Sequence, residues 1–468
     1  METLATLFAL LLPVLLGGLW LNLLVPAATP ARSALVWGYG CLTGLVLLPL
    51  LMRLLAHLGL GLDFAYTTAT ALALALVAAL AGLARRGAAR QAPQTPQWRT
   101  LTTAQRALCA LLLGLIALRL LNLGLEIIWR PLYPWDATMH WATKARVWFE
   151  YGDMVPFVAH DQWLQRGGEG VFTDRHPDYP QTVSLLQVWM NLAGGHWNES
   201  LMNLPWLACF AGLGLAFFGQ LRLAGAGLPT ATAFSYLLLS LPLMNTHVAL
   251  AGYADLFMGA VYGGSVMALH NWMRLRRNWL LALSLLLAAM CPLVKNEGVI
   301  WALTLVPAFT VAFLARRDAA KLVLLGALVV LLLALVLPES TVVAGHPLQR
   351  LTPTFNPQAL PGLVKSIWLH DNWHLGGYLL LMLVPLGLVM PGAITRSYLG
   401  LTAALATAVG AFLFLFLFTG FGWGATNFAA VGRLEMHLAP GLLFLCALLF
   451  EDLRRRGRIL AAAPPTGL

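Results

Sequence analysis

Charge is what this sequence has least of. Only 10% of its 468 residues are Asp, Glu, Lys or Arg, against about 25% in a typical soluble domain, and that shortage excludes an ordinary soluble protein. Acids are scarcer than bases, 19 against 29, which leaves a net charge of +10. No two aspartates are separated by a single residue, so the usual carboxylate bridge to a divalent metal is missing and no metal is expected. The chain has no GxxxxGK[ST] loop, no strand-borne dinucleotide glycine motif and no HExxH. A nucleotide-driven pump or a nucleotide-sugar enzyme has nowhere to hold its nucleotide, and no cofactor is expected. Cysteine is rare too. Cys41, Cys109, Cys209, Cys291 and Cys446 all fall inside apolar runs without metal-site spacing, and they read as small packing residues.

What the chain does have is hydrophobic length. Apolar runs long enough to cross a bilayer core of about 30 Å recur from end to end, and they do not alternate as barrel strands would. The expectation is an all-α polytopic membrane protein. Thirteen spans are expected, near 5–25, 34–57, 65–84, 104–125, 199–222, 228–247, 255–273, 279–294, 298–315, 320–337, 374–391, 397–419 and 435–451. The first run lacks a basic leader and is long enough to span, so it reads as a helix rather than a signal peptide.

Basic residues orient this arrangement. Arg85, Arg86, Arg90 and Arg99; Arg274, Arg276 and Arg277; Arg316, Arg317 and Lys321; Arg396; and Arg454, Arg455, Arg456 and Arg458 all fall on one side. That side is expected to be cytoplasmic, with the C-terminus inside. The +10 charge is thereby explained without nucleic acid as a partner. The expected organisation is three leading spans (1–84), a Pro/Gln/Ala linker (85–103), a membrane module (104–451) with outer loops 126–198 and 338–373, and a cytoplasmic tail (452–468). The segments with unusual polar content, including "HVALAGYAD", "KNEG" and "FGWGATNFAAVGR", land on the outer face. Chemistry is therefore expected there, at the membrane surface.

The first outer loop is the densest. After Pro134, residues 137–151 lack Pro and Gly and read as an interfacial helix. Ala137, Trp141, Ala145 and Trp148 form one stripe, with the tryptophan rings expected at headgroup depth. Asp136, His140, Thr143 and Lys144 form another, facing a cavity. Asp136 has two readings: a helix N-cap, or a reactive carboxylate in a region where spare charge is costly. Lys144 and Arg146 suit solvent or anionic lipid heads. In "HPDYP" (176–180) two prolines stiffen the backbone and aim His176 and Tyr179, although a loop histidine with a satisfied ring is an equal reading. Asp255 sits in "GYAD". Lys295 and Glu297 in "KNEG" either neutralise each other or form part of a site. Arg433, in "GRLEMHLAP", suits a phosphate clamp or simple snorkelling to the interface. A third reading makes Arg433 the buried partner of Glu435.

These motifs together resemble the GT-C glycosyltransferases, which use polyprenyl-phosphate-linked sugars and include protein O-mannosyltransferases and lipid A aminoarabinose transferases. The resemblance covers roughly 104–451 and rests on "YPWDATMHWATKAR", "HPDYP", "GYAD", "KNEG" and "GRLEMHLAP". Two features depart from the family: the three leading spans, and a lone Asp where some relatives carry an acidic pair. The resemblance implies a GT-C-like fold in a membrane such as the bacterial inner membrane, with the active site on the periplasmic side. It implies Asp136 as the general base, and Arg433 with Lys295 or Lys144 on the donor phosphate. Trp135, Trp141 or Tyr179 would stack on the sugar, with His140, His176, Asp255 and Glu297 completing the substrate site. Partners would be the lipid-linked sugar, membrane lipids, and an acceptor that is glycan, lipid or protein. Two rival functions are a lipid-linked sugar flippase, which predicts charged or broken helices near the bilayer midplane, and a non-catalytic partner in envelope polysaccharide assembly.

Overall fold

A computed structural model gives the fold; it describes residues 2–86, 97–338, 340–343, 345–351, 353–389 and 395–462. Most of the 85–103 linker, including Arg90, and the last six residues of the tail lie outside these. Twenty α-helices follow one another among the described residues. The first seven are α1 (Glu2–Leu24), α2 (Arg32–His57), α3 (Phe64–Arg86), α4 (Thr103–Trp129), α5 (Thr143–Tyr151), α6 (His160–Gln165) and α7 (Thr182–Gly194). Next come α8 (Leu204–Leu223), α9 (Leu228–Ser240), α10 (Pro242–Ala249), α11 (Asp255–Leu275), α12 (Asn278–Val294), α13 (Gly298–Leu303) and α14 (Val306–Phe313). The rest are α15 (Arg316–Val336), α16 (Ala359–Trp368), α17 (Leu375–Val389), α18 (Arg396–Phe418), α19 (Trp423–Thr426) and α20 (Val431–Ala462). Among the described residues, two strand pairs of two residues each, Phe157–Val158 with Phe172–Thr173 and Val342–Val343 with His346–Pro347, lie in the segments 126–198 and 338–373.

The protein is an all-α membrane protein. Among the described residues, seven helical segments, Glu2–Leu24, Arg32–His57, Phe64–Arg85, Thr103–Trp129, Leu201–Leu223, Ser397–Phe418 and Val431–Gly457, are each long and apolar enough to cross a bilayer. Two expected spans are interrupted. The run 228–247 divides into α9 and α10 at Leu241, whose backbone is pushed out of the helical region (φ −59°, ψ 123°) by Pro242. The run 298–315 divides into α13 and α14 at Thr304 and Leu305, ahead of Pro307.

The leading helices are built into the bundle. Glycines let backbones approach closely: a Cβ on Gly17 would stand 2.0 Å from Gly40 O, and one on Gly38 would stand 2.4 Å from Ala216 N. These contacts bring α1 onto α2 and α2 onto α8. Tyr39 of α2 donates to Gly264 O of α11 at 3.1 Å and receives the Gln220 amide of α8 at 2.8 Å. The centre is α11, of which every residue from Asp255 to Met273 is buried, packed against α8, α12, α18 and α20. Helix α11 begins at Asp255, α12 ends beside Lys295, and α20 begins beside Arg433. The polar residues of three central helices are thus delivered to the same end of the bundle as the long segment 126–198.

Candidate functional site

The segment after Pro134 forms a helix, but it starts in an unusual way. Residues Ala137–Ala142 are π-helical and lead into α5. The wider turn lets the Thr143 hydroxyl donate to Thr138 O, five residues back, at 2.7 Å. π-Turns are often found at functional sites. The expected apolar stripe is present, since Ala137, Trp141, Ala145 and Trp148 are all buried. Its surroundings differ from expectation. Trp141 and Trp148 lie inside the protein: Ser184 of α7 donates to Trp141 O at 2.7 Å, and the Trp148 indole donates to Val155 O at 2.9 Å. Trp141 is only 2% exposed, so it cannot stack on a substrate sugar. Trp135, by contrast, is 72% exposed.

The N-cap reading of Asp136 is corrected. Its backbone is already helical and its side chain caps nothing. The carboxylate instead accepts a charge-assisted hydrogen bond from Nη1 of Arg433. The two residues are 297 positions apart in sequence, and both side chains remain about a quarter exposed (28% and 24%). Arg433 also lies over the Tyr253 ring, 5.1 Å from its centroid, and its Nε is buried with no hydrogen-bond partner. Gly252 makes this approach possible. Its φ is +117°, and a Cβ there would stand 2.5 Å from the Ala137 Cβ, so the "GYAD" turn lies directly on the start of the π-helix.

Behind this pair is a buried polar cluster. Asp255 Oδ1 takes the Lys295 ammonium at 2.8 Å and faces His437 Nε2 at 3.1 Å. Glu297 lies 3.5 Å from the same ammonium. Lys295 projects here because α12 stops at it in an extended conformation (φ −154°, ψ 147°) and the chain turns back at once. A Cβ on Gly298 would stand 2.1 Å from Cys291 O, so the tight turn requires glycine. Burial disfavours the Lys295 ammonium, but Asp255 and then Glu297 outweigh it and hold its pKa above the ordinary value. Arg433 is not the partner of Glu435: the Glu435 carboxylate accepts from the Trp373 indole at 2.9 Å, while Arg433 pairs with Asp136.

A second cluster organises the segment 126–198 around Asp174, a residue that the sequence patterns did not single out. Asp174 meets His140 Nδ1 at 2.5 Å, Lys144 Nζ at 2.9 Å and the His176 backbone N–H at 3.0 Å. Burial raises its carboxyl, but the His140 ring, the His176 N–H and Lys144 together prevail and hold it well below the usual carboxylate range. Lys144 also donates to His176 O at 2.6 Å and is 1% exposed. Its expected contact with a donor phosphate is therefore corrected: the ammonium is sealed in and already neutralised. Burial pushes its pKa down in spite of Asp174. His140 likewise serves the loop, with its ring on Asp174.

The rigid "HPDYP" turn joins the two clusters. Tyr179 lies parallel to His176 (4.6 Å between centroids) and to Trp141 (4.9 Å). Its hydroxyl has no hydrogen-bond partner among the described residues. Burial, then the charge of Glu297, pushes the phenol above its usual range, and Arg433, Asp136 and Asp255 are also close enough to act on it. The turn is tied to "KNEG" by hydrogen bonds from Asn296 to Asp178 (2.7 Å) and from Thr182 to Leu293 O (2.6 Å). Burial and the neighbouring His140 lower the pKa of His176.

Asp136, Arg433, Asp255, Lys295, Glu297 and Tyr179 thus share one neighbourhood at the end of the bundle. Lys144 and His140 belong to its supporting loop, Trp141 to its core, and Trp135 to its surface. Among the described residues, no group of three or more His, Cys, Asp or Glu side chains is placed to hold a metal ion. No protein-family model, curated protein or solved structure matches the chain.

Proposed function

We propose that this protein is a membrane glycosyltransferase that moves a sugar from a polyprenyl phosphate to an acceptor hydroxyl. The observation that carries this reading is the Asp136–Arg433 pair, backed by the buried Asp255–Lys295–His437 cluster. A carboxylate and an arginine in contact at the mouth of a cluster of buried charges supply what the reaction asks for. One group takes a proton, and the other stabilises the phosphate that leaves.

In the ligand-free protein the two groups neutralise each other. The donor phosphodiester, itself an anion, competes with Asp136 for Arg433, whose planar fork suits a phosphate. Its arrival frees the carboxylate. Asp136 then takes the proton of the acceptor hydroxyl as that oxygen attacks the anomeric carbon from the face opposite the phosphate. The C–O bond to phosphate breaks with its electron pair, the anomeric centre inverts, and the lipid phosphate monoester departs with one more negative charge. Arg433 and Lys295 stabilise that charge. The Tyr179 hydroxyl is placed to bind a sugar oxygen, and the exposed Trp135 to cover a sugar face.

In this account thirteen segments cross the membrane, the broken ones included. The site faces the periplasm, the C-terminus lies in the cytoplasm, and the membrane is the inner membrane of a bacterium. The test is to incubate membranes containing the protein with a panel of radiolabelled polyprenyl-phosphate sugars. Transfer of label from one of them to a protein, glycan or lipid acceptor is expected. Wild-type membranes that transfer none, alongside a control enzyme that does, would count against the reading.

A further inference from the structure

An arginine stands alone in the middle of a helix that is long and apolar enough to span a membrane. Arg119 lies ten residues before the end of α4, about 15 Å along the axis at 1.5 Å per residue. Its Nε is buried, and the guanidinium has no hydrogen-bond or ion-pair partner among the described residues. An unpaired charge at bilayer depth is costly and marks a functional position by default.

Arg119 opens on a cavity of about 510 Å³ between α4 on one side and α9 and α10 on the other. One stripe of α4 lines it from Leu115 to Arg130, at spacings of three and four, and Tyr236, Asn245 and Thr246 face that stripe. Along the axis the fifteen steps from Leu115 to Arg130 cover about 22 Å. Leucines form much of the wall. The formal charges on it are Arg119, Glu126 and Arg130, and the last two pair at 2.7 Å. The cavity therefore carries one uncompensated positive charge on an apolar wall, in a helix whose surface is largely exposed. A smaller crevice shares Arg130, Ala249 and Leu250 with it and continues to Tyr133 and Pro134, two residues before Asp136.

We propose that this groove holds a phosphate-bearing membrane lipid, with Arg119 anchoring the phosphate and the leucine wall taking the start of the tail. The site uses none of the residues assigned to sugar transfer and does not depend on that reaction. Two kinds of lipid share the required chemistry: an ordinary anionic phospholipid and a polyprenyl phosphate.

The test uses the full-length protein in detergent or nanodiscs with three lipids, each carrying a diazirine near the headgroup: a polyprenyl monophosphate, phosphatidylglycerol, and the matching polyprenol without phosphate. Cross-linked peptides are then mapped. One or both phosphate lipids are expected to label peptides covering 115–130 and 236–250, and whichever labels at lower concentration identifies the occupant. Arg119→Gln should weaken that labelling about ten- to a hundredfold, the loss expected for a charged hydrogen bond. Arg119→Lys should retain part of it, and Arg433→Gln should leave it unchanged. Equal labelling by the phosphate-free polyprenol, or no wild-type label in these peptides, would overturn the proposal without reference to any variant. Persistence of the label in Arg119→Gln, or its loss in Arg433→Gln, would overturn it as well. None of these readouts depends on sugar transfer, so the site and the proposed reaction can fail separately.

Discussion

Asp136 and Arg433, drawn from the long loop after α4 and from the start of the last long helix, meet in an ion pair at one end of the bundle. The contact closes the bundle from its fourth helix to its last. It also sets the terms of the proposed chemistry, because a base held by an arginine is released only when another anion takes the arginine.

Arg433 should be hard to replace. Arg433→Ala is expected to lower sugar transfer about 10²- to 10³-fold, the usual cost of removing one donor that stabilises developing negative charge. Arg433→Lys should recover only part of that, since a lysine is a point charge without the fork. Initial rates at saturating acceptor, with each variant's thermal midpoint as a folding control, check this. Equal rates for Arg and Lys would show that geometry is unimportant here.

The Asp255–Lys295 pair should show up first in stability. Both side chains are almost fully buried, so Asp255→Ala leaves Lys295 charged without its principal partner. The expected loss is about 3–5 kcal/mol. The double variant Asp255→Ala/Lys295→Met removes both charges and should regain much of that loss. Chemical unfolding in detergent micelles measures both. If the single and double variants are equally destabilised, the two residues do not act as a pair.

Two tryptophans that are alike in sequence should behave differently. Trp141→Ala removes a buried ring stacked on Tyr179, and a cost of about 3–5 kcal/mol is expected. Trp135→Ala removes an exposed ring and should change stability by no more than about 0.5 kcal/mol. In the proposed reaction Trp135→Ala raises KM for the donor with little change in the thermal midpoint. A midpoint shift as large as that of Trp141→Ala would put Trp135 in the core instead.

The histidine of the rigid turn gives a pH dependence with a definite sign. Burial, and then His140, lower the folded-state pKa of His176 below about 6.5, its unfolded value. Between those two values the unfolded chain binds more protons, so stability rises with pH in that window and falls as the solution is acidified through about 6.5. Asp174 behaves as a depressed carboxylate. Its contribution is present above about pH 3.9 and is lost only as pH falls through its lower folded value. Thermal midpoints between about pH 5 and pH 7 should therefore slope upward in the wild type and less steeply in His176→Gln. An equal slope in both would assign the titration elsewhere.

The helical class and the placing of the polar motifs could be read from the sequence because they rest on strong local signals. These are apolar length, the prolines of "HPDYP", and charges too costly to be scattered in a membrane protein. The pairings could not be read. Nothing near Asp136 announces Arg433, because the contact depends on how the first loop folds back over the bundle. Asp174 was missed for the same reason: an acid two residues before His176 looks like an ordinary loop carboxylate until Lys144 and His140 turn toward it. The burial of Lys144 could not be read because the groups that enclose it, Asp174 and the His176 carbonyl, come from later in the loop. Trp141 was placed at the membrane surface because an aromatic stripe looks the same whether lipid or α7 covers it.

The most direct test is the kinetics of Asp136→Asn in a protein that folds and inserts normally. The amide cannot take the acceptor's proton, and it no longer neutralises Arg433. Turnover should fall about 10²- to 10⁴-fold, the range for losing a general base, while the donor binds at least as tightly as in the wild type. Undiminished turnover in that variant, or a loss seen only as weaker donor binding, would contradict the account.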